Sequence, residues 1–260
     1  MSDPLSDPVI ELDDVSLCYR LAKQRIPSLK DYAIHWMRGA LVYEQLWALR
    51  DVSIRIGRGE TVGVIGRNGA GKSTLLKVIS RVLKPTRGRA TIRGAVAPIL
   101  ELGTGFDHEL TGMENIYLNA LLLGHQRREI DARLGEIVEV SGLGDFLRAP
   151  IRNYSTGMVT RLGFAIATAW VSEVLILDEV LAVGDASFAR TCEERIQRFH
   201  DAGSTVLLVS HSLESVRKNC GRCLWLHGGQ LLADGPTAEV VARYAADTGA
   251  PLPPALVVAP

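Results

Sequence analysis

The sequence predicts an α/β fold with buried parallel strands and a mostly helical block inserted between them. Residues 61–65, 174–177 and 205–209 form short, almost uninterrupted apolar runs, which are typical of strands covered on both faces of a parallel sheet. The first run leads into a glycine-rich loop and then into a helix that begins near Lys72. Residues 104–170 instead carry apolar side chains at helical spacing, so they are predicted to form the inserted helical block.

Local patterns place the remaining elements. Alternation and β-branched residues predict further strands or hairpins in four segments: 9–19, 48–56, 89–100 around Gly94, and 224–234 around Gly228 and Gly229. Helix starts are predicted at three places: the capping box from Thr111 to Glu114, Ser155, and Pro236. We expect the tail, residues 247–260, to be disordered.

Composition limits the possible functions. Lys plus Arg and Asp plus Glu each number 29, so overall charge gives no indication of nucleic-acid binding. The longest apolar runs are strand-sized, far short of the roughly 20 residues that a membrane-spanning helix needs. The first eight residues are acidic and rich in proline, unlike a secretory signal. These features predict a cytosolic protein unless a partner holds it at a membrane.

The four cysteines leave two interpretations open. Cys220-Gly-Arg-Cys223 has the spacing of half a zinc or redox site, but the sequence offers no second CxxC or nearby histidine pair. Ordinary half-buried cysteines are therefore favoured over a metal site. A disulfide framework is not expected in a cytosolic chain.

A phosphate-binding loop is the strongest motif. Residues 66–73, Gly-Arg-Asn-Gly-Ala-Gly-Lys-Ser, fit GxxxxGK[ST] between a predicted strand and a predicted helix. The glycines let backbone N–H groups converge on phosphate oxygens, and the helix N-terminus adds a positive dipole end. Lys72 is predicted to reach the β- and γ-phosphates, and Ser73 to hold Mg²⁺.

Polar residues follow two of the apolar strands. Asp178 and Glu179 end the run at 174–177; Asp178 is predicted to hold Mg²⁺, and Glu179 to act as general base for the attacking water. His211 follows the run at 205–209. A histidine at a strand end is often structural, but near a phosphate loop a hydrogen bond to the γ-phosphate is favoured.

Ser155 predicts a second phosphate-binding helix start. It precedes a helix rich in apolar residues, and its hydroxyl with the free N–H groups behind it could bind an anion. Taken alone, this pattern is only a helix start.

The order of these motifs resembles that of ABC transporter ATPases over about residues 9–245. The resemblance implies an ABC-type P-loop ATPase domain over 1–246, with a RecA-like core, an antiparallel β subdomain and an inserted helical subdomain. It assigns about 1–103 and 171–246 to the core and β subdomain, and about 104–170 to the helical subdomain.

The resemblance also implies which residues form the site. ATP and Mg²⁺ would lie between the two subunits of a homodimer, because the Ser-x-Gly helix start, here Ser155 and Gly157, contacts the γ-phosphate held by the other subunit in that family. Tyr19 matches the aromatic residue that stacks on adenine. The Walker A positions are Gly66, Arg67, Asn68, Gly69, Ala70, Gly71, Lys72, Ser73 and Thr74. The other matches are Asp178 (Walker B), Glu179 (catalytic base), Asp185 (D-loop) and His211 (switch histidine).

Two departures from the family pattern indicate one branch. Tyr154-Ser155-Thr156-Gly157-Met158 replaces the usual Leu-Ser-Gly-Gly-Gln, and Glu101 replaces a glutamine, where its carboxylate can still serve Mg²⁺. With residues 111–116 and 183–185, these segments resemble the ATPases of polysaccharide exporters, which move lipid-linked O-antigen, capsule or teichoic acid. Only 14 residues follow Ala246, which resembles the short form without a C-terminal carbohydrate-binding domain.

This branch implies an ATP-hydrolysing subunit at the cytoplasmic face of the inner membrane. It would work with a separate permease, in two copies, and a lipid-linked glycan as cargo, and would bind no nucleic acid. A lipid, drug or small-molecule cargo stays open. An ABC ATPase acting on DNA or ribosomes is disfavoured, because the sequence lacks long coiled-coil arms and tandem ATPase domains.

Residues 20–46 form an insertion between two predicted strands. Leu29, Tyr32, Trp36 and Met37 share one helical face, flanked by basic residues. Such a helix suits an anionic membrane surface or a membrane partner, but it could equally pack on its own domain.

Overall fold

The structure, a computed structural model, describes residues 8–22, 43–99, 102–103, 105–178, 186–210 and 212–250. The described strands are β1 (Ile10–Ala22), β2 (Tyr43–Ile56), β3 (Thr61–Ile65), β4 (Arg87–Ile92), β5 (Val96–Ile99), β6 (Val174–Asp178), β7 (Thr205–Val209), β8 (Arg222–His227) and β9 (Gln230–Pro236). The described helices are α1 (Lys72–Ile79), α2 (Gly112–Leu122), α3 (Arg127–Ser141), α4 (Thr156–Ala167), α5 (Ala186–Asp201), α6 (Leu213–Asn219) and α7 (Thr237–Thr248). Within these ranges, no helix combines the length and the apolar character needed to cross a membrane.

The larger sheet has the strand order β5-β6-β7-β3-β8-β9 among the described residues. Strands β5 to β8 run parallel, and β9 returns antiparallel to β8 as the predicted hairpin. The three apolar runs are therefore buried parallel strands, as their composition predicted. Because these strands are parallel, the carboxyl ends of β3, β6 and β7 lie at the same edge of the sheet.

A smaller antiparallel sheet has the order β2-β1-β4 among the described residues. The two short strands predicted around Gly94 are divided between the sheets, because β4 pairs with β1 and β5 pairs with β6. Gly94 lies between β4 and β5 and allows the chain to pass from one sheet to the other. It has φ 86°, and a Cβ there would lie 2.6 Å from the Glu173 carboxyl carbon.

The main hydrophobic core joins the antiparallel sheet to α1 and the larger sheet. Ile10, Leu49 and Ile56 from the antiparallel sheet pack in one cluster with Leu75 and Ile79 of α1, and all are fully buried. Burying an aliphatic side chain of this size contributes about 1.5–3 kcal/mol. This packing fixes the antiparallel sheet beside the loop that precedes α1.

Helices α2, α3 and α4 form a second cluster around buried Ile116, Ile137 and Leu162, as the helical spacing predicted. Helix α2 starts with the predicted capping box. The Thr111 hydroxyl accepts from the Glu114 backbone N–H at 3.2 Å, and the Glu114 carboxylate accepts from the Thr111 N–H at 2.8 Å. The hydrogen bonds from the Thr111 side chain and backbone lower the pKa of Glu114.

Strands β1 and β2 are longer than the sequence pattern indicated. They pair as far as Ala22 and Tyr43, so the ends of the 20–46 insertion belong to the sheet. The predicted amphipathic helix lies in 23–42, outside the described residues. At the other end, α7 continues through Thr248, past the expected start of the tail, and residues 251–260 lie outside the described part.

The two cysteines of the CxxC segment pack with apolar side chains of β8, α6 and α7. Both thiols are free and buried. Burial raises the pKa of Cys220 to about 12, and burial with the neighbouring Cys220 and Asp234 raises that of Cys223 to about 12. Because metal binding needs thiolates, these pKa values favour the interpretation as ordinary cysteines.

Candidate nucleotide-binding site

The phosphate loop connects β3 to α1, and two of its glycines are required by close backbone contacts. Gly66 has φ 151°, and a Cβ there would lie 2.3 Å from the Leu226 carbonyl oxygen. Gly71 has φ 105°, and a Cβ there would lie 2.7 Å from the Ala48 carbonyl oxygen. The loop therefore packs against β8 at Gly66 and against β2 at Gly71, and only glycine fits at these two positions.

Lys72 spans the loop from the first turn of α1. Its side chain is buried, with 8% of the residue exposed. The ammonium group donates to the carbonyl oxygens of Gly66 at 2.6 Å and Arg67 at 3.2 Å. A buried ammonium group beside the N-terminus of a helix is a suitable partner for phosphate oxygens.

The first turn of α1 has no side-chain cap. Gly71 occupies the N-cap position and supplies no side-chain acceptor, so no capping side chain competes with a ligand at the start of the helix. Ser73 follows within the turn and is exposed. The loop therefore presents amide donors, an ammonium group and a hydroxyl to one volume.

That volume is a cavity of about 350 Å³ beside the loop. Its loop residues are Asn68, Gly69, Ala70, Gly71, Lys72, Ser73 and Thr74, and Tyr19 of β1 also lines it. The structure thus brings these predicted nucleotide-binding residues together. Arg67 is exposed within the same loop, and Gly66 is buried beneath it.

Four further residues line the cavity without belonging to any recognisable nucleotide-binding motif: Leu46, Trp47, Ala48 and Val209. The first three lie on β2, about twenty positions before the loop begins at Gly66, and their sequence pattern indicates only a strand. No local motif could have found them, because the packing of the two sheets brings β2 to the loop.

Asp178 ends β6 at the same edge of the sheet. Its backbone pairs with Val209, which lines the cavity. Strand register thus places Asp178 one strand away from the cavity wall. The other predicted residues Glu101, Glu179, Asp185 and His211 lie outside the described residues.

Ser155 is the N-cap of α4, as predicted. Its hydroxyl accepts from the Met158 N–H at 3.2 Å, and the side chain is exposed. Gly157 follows in the first turn, where an added Cβ would come no closer than 3.9 Å to its nearest neighbour. The fold of this chain therefore leaves room for a larger residue at 157.

The unusual Tyr154 of this region has its own structural partners. Its hydroxyl donates to the Phe146 carbonyl oxygen at 2.7 Å. A Cβ at Gly112 would lie 2.2 Å from that hydroxyl oxygen, so the tyrosine requires glycine at the start of α2. This pairing explains how the departure from leucine is accommodated.

The helical segment is tied to α5 through one carboxylate. Glu136 of α3 accepts from Arg195 at 2.5 Å and Arg198 at 2.6 Å, and from its neighbour Arg133 at 2.8 Å. Burial would raise the pKa of Glu136, but the hydrogen bonds from the three arginines outweigh it and lower the pKa to about 2. Glu136 is therefore charged at neutral pH.

Comparisons with known proteins agree with this geometry. A family model described as ABC transporter matches residues 49–182, slightly more than half of the chain. The O-antigen export system ATP-binding protein RfbB of Klebsiella pneumoniae is 44% identical over 239 residues, which cover 91% of this chain and 97% of the relative. The teichoic acids export ATP-binding protein TagH of Enterococcus faecalis is 40% identical over 228 residues, covering 88% of this chain and 50% of the relative.

Solved structures show the same fold. The ATP-binding subunit of an ABC transporter has a TM-score of 0.69 at 25% identity, covering 91% of this chain and 93% of that one. A dimeric ATP-binding cassette in a post-hydrolysis state, bound to ADP and Pi, has a TM-score of 0.68 at 21% identity, covering 88% and 98%. With the phosphate loop, the buried lysine and the parallel strands that carry them, these similarities establish that the chain belongs to the ABC transporter family as an ATP-hydrolysing subunit.

Proposed function

We propose that the chain powers the export of a lipid-linked polysaccharide through a separate membrane permease. The observation that carries this proposal is the 44% identity to an O-antigen export protein over 97% of that relative's length. A second relative at 40% identity is named for teichoic acid export. Both names describe polymers exported across a membrane, which favours a polymer over a lipid, drug or small-molecule cargo.

ATP would bind in the cavity beside the phosphate loop. Tyr19 and Lys72 both line the cavity, and we assign the adenine to Tyr19 and the phosphates to Lys72. Mg²⁺ prefers oxygen ligands. The exposed hydroxyl of Ser73 and the position of Asp178 beside Val209 fit such an ion, with Glu101 as a further ligand.

Hydrolysis would use three residues at the carboxyl edge of the sheet. Glu179 would act as general base for the attacking water, His211 would hydrogen-bond the γ-phosphate, and Asp185 would lie at the subunit boundary. The support for these roles is sequence position: Glu179 directly follows β6, His211 lies two positions after β7, and Asp185 lies seven positions after β6.

Two copies of the chain would form a homodimer with shared sites. The support is the exposed start of α4, where Ser155 is accessible and Gly157 has space that the chain's own packing does not need. A phosphate bound to the loop of one subunit could enter that space from outside. The charge of the phosphate would then meet the N-terminus of α4.

The permease would dock on an apolar groove between α1 and the helical segment. The groove has a volume of about 340 Å³, and Val82, Leu102, Phe106 and Leu123 are among its lining residues. Leu122 beside it is 69% exposed. Val82 and Leu123 of the groove are exposed as well, and exposed apolar side chains that lie together mark interaction surfaces. A membrane permease bound there would hold the chain at the cytoplasmic face of the membrane.

Cargo identity is tested in cells that lack this chain. We expect lipid-linked glycan to accumulate inside the cell while its synthesis continues, and the wild-type chain to restore its appearance at the surface. Normal surface glycan in the deletion strain, with loss of another exported compound, would assign a different cargo.

The permease surface is tested by Leu122→Glu, with Leu232→Glu on β9 as the matched control, since Leu232 is also exposed. We expect Leu122→Glu to reduce co-purification with the permease and to leave ATP binding by the isolated subunit unchanged. Equal effects of both variants would argue against the groove.

A further inference from the structure

Trp47 stands at the border between two cavities. It lines the nucleotide cavity together with Tyr19, and both residues also line a neighbouring cavity of about 540 Å³ with Arg20 and Arg87. Trp47 is half-buried. A large aromatic side chain that keeps one part open to a ligand cavity is available for stacking.

A bulge in β2 sets the position of Trp47 relative to the phosphate loop. Leu17 pairs with Leu49 and Cys18 pairs with Trp47, so Ala48 is the extra residue. Bulges re-aim neighbouring side chains. The Ala48 carbonyl oxygen is the atom against which Gly71 packs, since a Cβ at Gly71 would lie 2.7 Å from it.

The β8–β9 turn stabilises the contact between Gly71 and Ala48 through two backbone hydrogen bonds. The Gly229 N–H donates to the Ala70 carbonyl oxygen at 3.0 Å, and the Arg50 N–H donates to the Gly229 carbonyl oxygen at 2.8 Å. One turn thus bonds to both the phosphate loop and β2. Backbone contacts therefore fix the β2 segment that carries Trp47 beside the phosphate loop.

The side chain of Arg87 packs on the Trp47 ring. Its guanidinium carbon lies 5.2 Å from the centre of the Trp47 ring, within the range of a cation–π contact. The preceding Thr86 is tied to β1, because its N–H donates to the Ser16 carbonyl oxygen at 2.8 Å and its hydroxyl accepts from the Cys18 N–H at 3.0 Å. Arg87 is thus anchored to the strand that carries Tyr19.

We propose that Trp47 is a second aromatic contact for the adenine base, beside Tyr19, and that Arg87 is a positioning residue that acts through the Trp47 ring. The proposal rests on the proposed nucleotide site. A purine has a π face that stacks on an indole irrespective of its hydrogen-bonding edge, so Trp47 contributes to affinity for the base and leaves the phosphates to the loop.

The test compares a ligand with a base to one without. ATP and inorganic tripolyphosphate, each with Mg²⁺, are titrated calorimetrically into the wild-type chain, Trp47→Ala and Trp47→Leu. We expect both variants to weaken ATP binding about fivefold or more, as for loss of a base–aromatic stack, and to leave tripolyphosphate binding unchanged. Trp47→Phe keeps an aromatic face and should retain most of the ATP affinity.

The two ligands separate stacking from an indirect effect. If Trp47→Leu weakens ATP and tripolyphosphate equally, Trp47 acts by supporting the loop through Ala48, and the proposal is overturned. Unchanged ATP affinity in Trp47→Leu overturns it as well. A wild-type chain that binds neither ligand contradicts the nucleotide site itself, which is a separate failure.

The role of Arg87 is tested by a double-mutant cycle. Arg87→Ala should weaken ATP binding about two- to threefold, as for an exposed cation–π contact, but should have no further effect in the Trp47→Leu background. Arg89→Ala is the matched control, since Arg89 is also exposed on β4, and it should leave ATP affinity unchanged. Additive effects of Arg87→Ala and Trp47→Leu would show that Arg87 does not act through Trp47.

Discussion

Helix α1 and helix α4 begin in opposite ways, although both N-termini are suited to phosphate. At α1, Gly71 provides no capping side chain, and the buried ammonium group of Lys72 bonds to loop carbonyl oxygens. At α4, Ser155 caps the helix with its own hydroxyl and remains exposed. Contacts from β2 and β8 hold the start of α1 in place, whereas a single local hydrogen bond stabilises the start of α4.

This difference indicates how each helix start is used. An uncapped helix N-terminus inside a pocket leaves its donors to a ligand. A capped and exposed one is stable without a ligand, and it can meet a charge brought by another molecule. The two starts therefore correspond to the two halves of the shared site that we propose.

The largest expected effects are on ATP affinity and on the rate of hydrolysis, and they differ between substitutions at the start of α1 and at the start of α4. Lys72→Ala should weaken ATP binding and slow hydrolysis, whereas Ser155→Arg should leave ATP binding by the isolated subunit intact but slow hydrolysis. We expect both hydrolysis losses to be roughly 10²-fold or more, comparable to removing a transition-state donor. Calorimetric titration and a phosphate-release assay measure the two properties.

Mixing the two variants sharpens this prediction. A heterodimer of Lys72→Ala and Ser155→Arg retains one site with both motifs intact, so the mixture should regain part of the wild-type activity. Full activity of Ser155→Arg by itself would rule out a shared site.

Substitution of Gly71 and of Gly157 by alanine should change the free energy of unfolding in opposite directions. Gly71→Ala places a Cβ at φ 105° and 2.7 Å from the Ala48 carbonyl oxygen, so we expect the free energy of unfolding to fall by about 2–4 kcal/mol. Gly157→Ala has space and a helical backbone, and should raise it by up to about 1 kcal/mol while slowing hydrolysis. Urea unfolding measures the free energies, and equal destabilisation by both substitutions would contradict the comparison.

The carboxylate that ties the helical segment to α5 should make stability depend on pH. The pKa of Glu136 is lowered from 4.5 to about 2 in the folded chain, so its contribution is fully present above about pH 4.5 and is lost as the pH falls towards 2. Glu136→Gln should lower the free energy of unfolding by about 1–3 kcal/mol at pH 7. The difference from the wild type should shrink on acidification.

Glu139→Gln is the control for this measurement, because Glu139 is exposed on the same helix. It should change stability by less than about 0.5 kcal/mol. A difference between the wild type and Glu136→Gln that stays constant from pH 7 to pH 3 would exclude the charged cluster as its cause.

The smallest expected effect is on the cap of α4. Ser155→Ala should lower the free energy of unfolding by about 1 kcal/mol, since it removes one N-cap hydrogen bond. Thr111→Ala at α2 is a suitable comparison, because Thr111 belongs to a capping box with a second reciprocal hydrogen bond, and it should cost at least as much. Both are measured by thermal or urea unfolding, and a loss of several kcal/mol for Ser155→Ala would mean that the serine has further partners.

Local patterns in the sequence determined much of the fold. Almost uninterrupted apolar runs predicted the parallel strands, because strands covered on both faces carry no polar side. The phosphate loop and the caps at Thr111 and Ser155 were predictable because each is formed by residues within eight positions of one another. Short-range chemistry of this kind is visible without knowledge of the tertiary structure.

Only the tertiary structure decided what surrounds the loop. Trp47 and Ala48 line the same cavity as Gly71 because a bulge in β2 and the packing of two sheets bring them there. The assignment of β4 and β5 to different sheets, and the contact of Glu136 with Arg195 and Arg198, are likewise invisible in the sequence. These contacts join residues that are far apart in the chain, and burial of apolar surface over the whole core, which no local pattern records, selects which of them form.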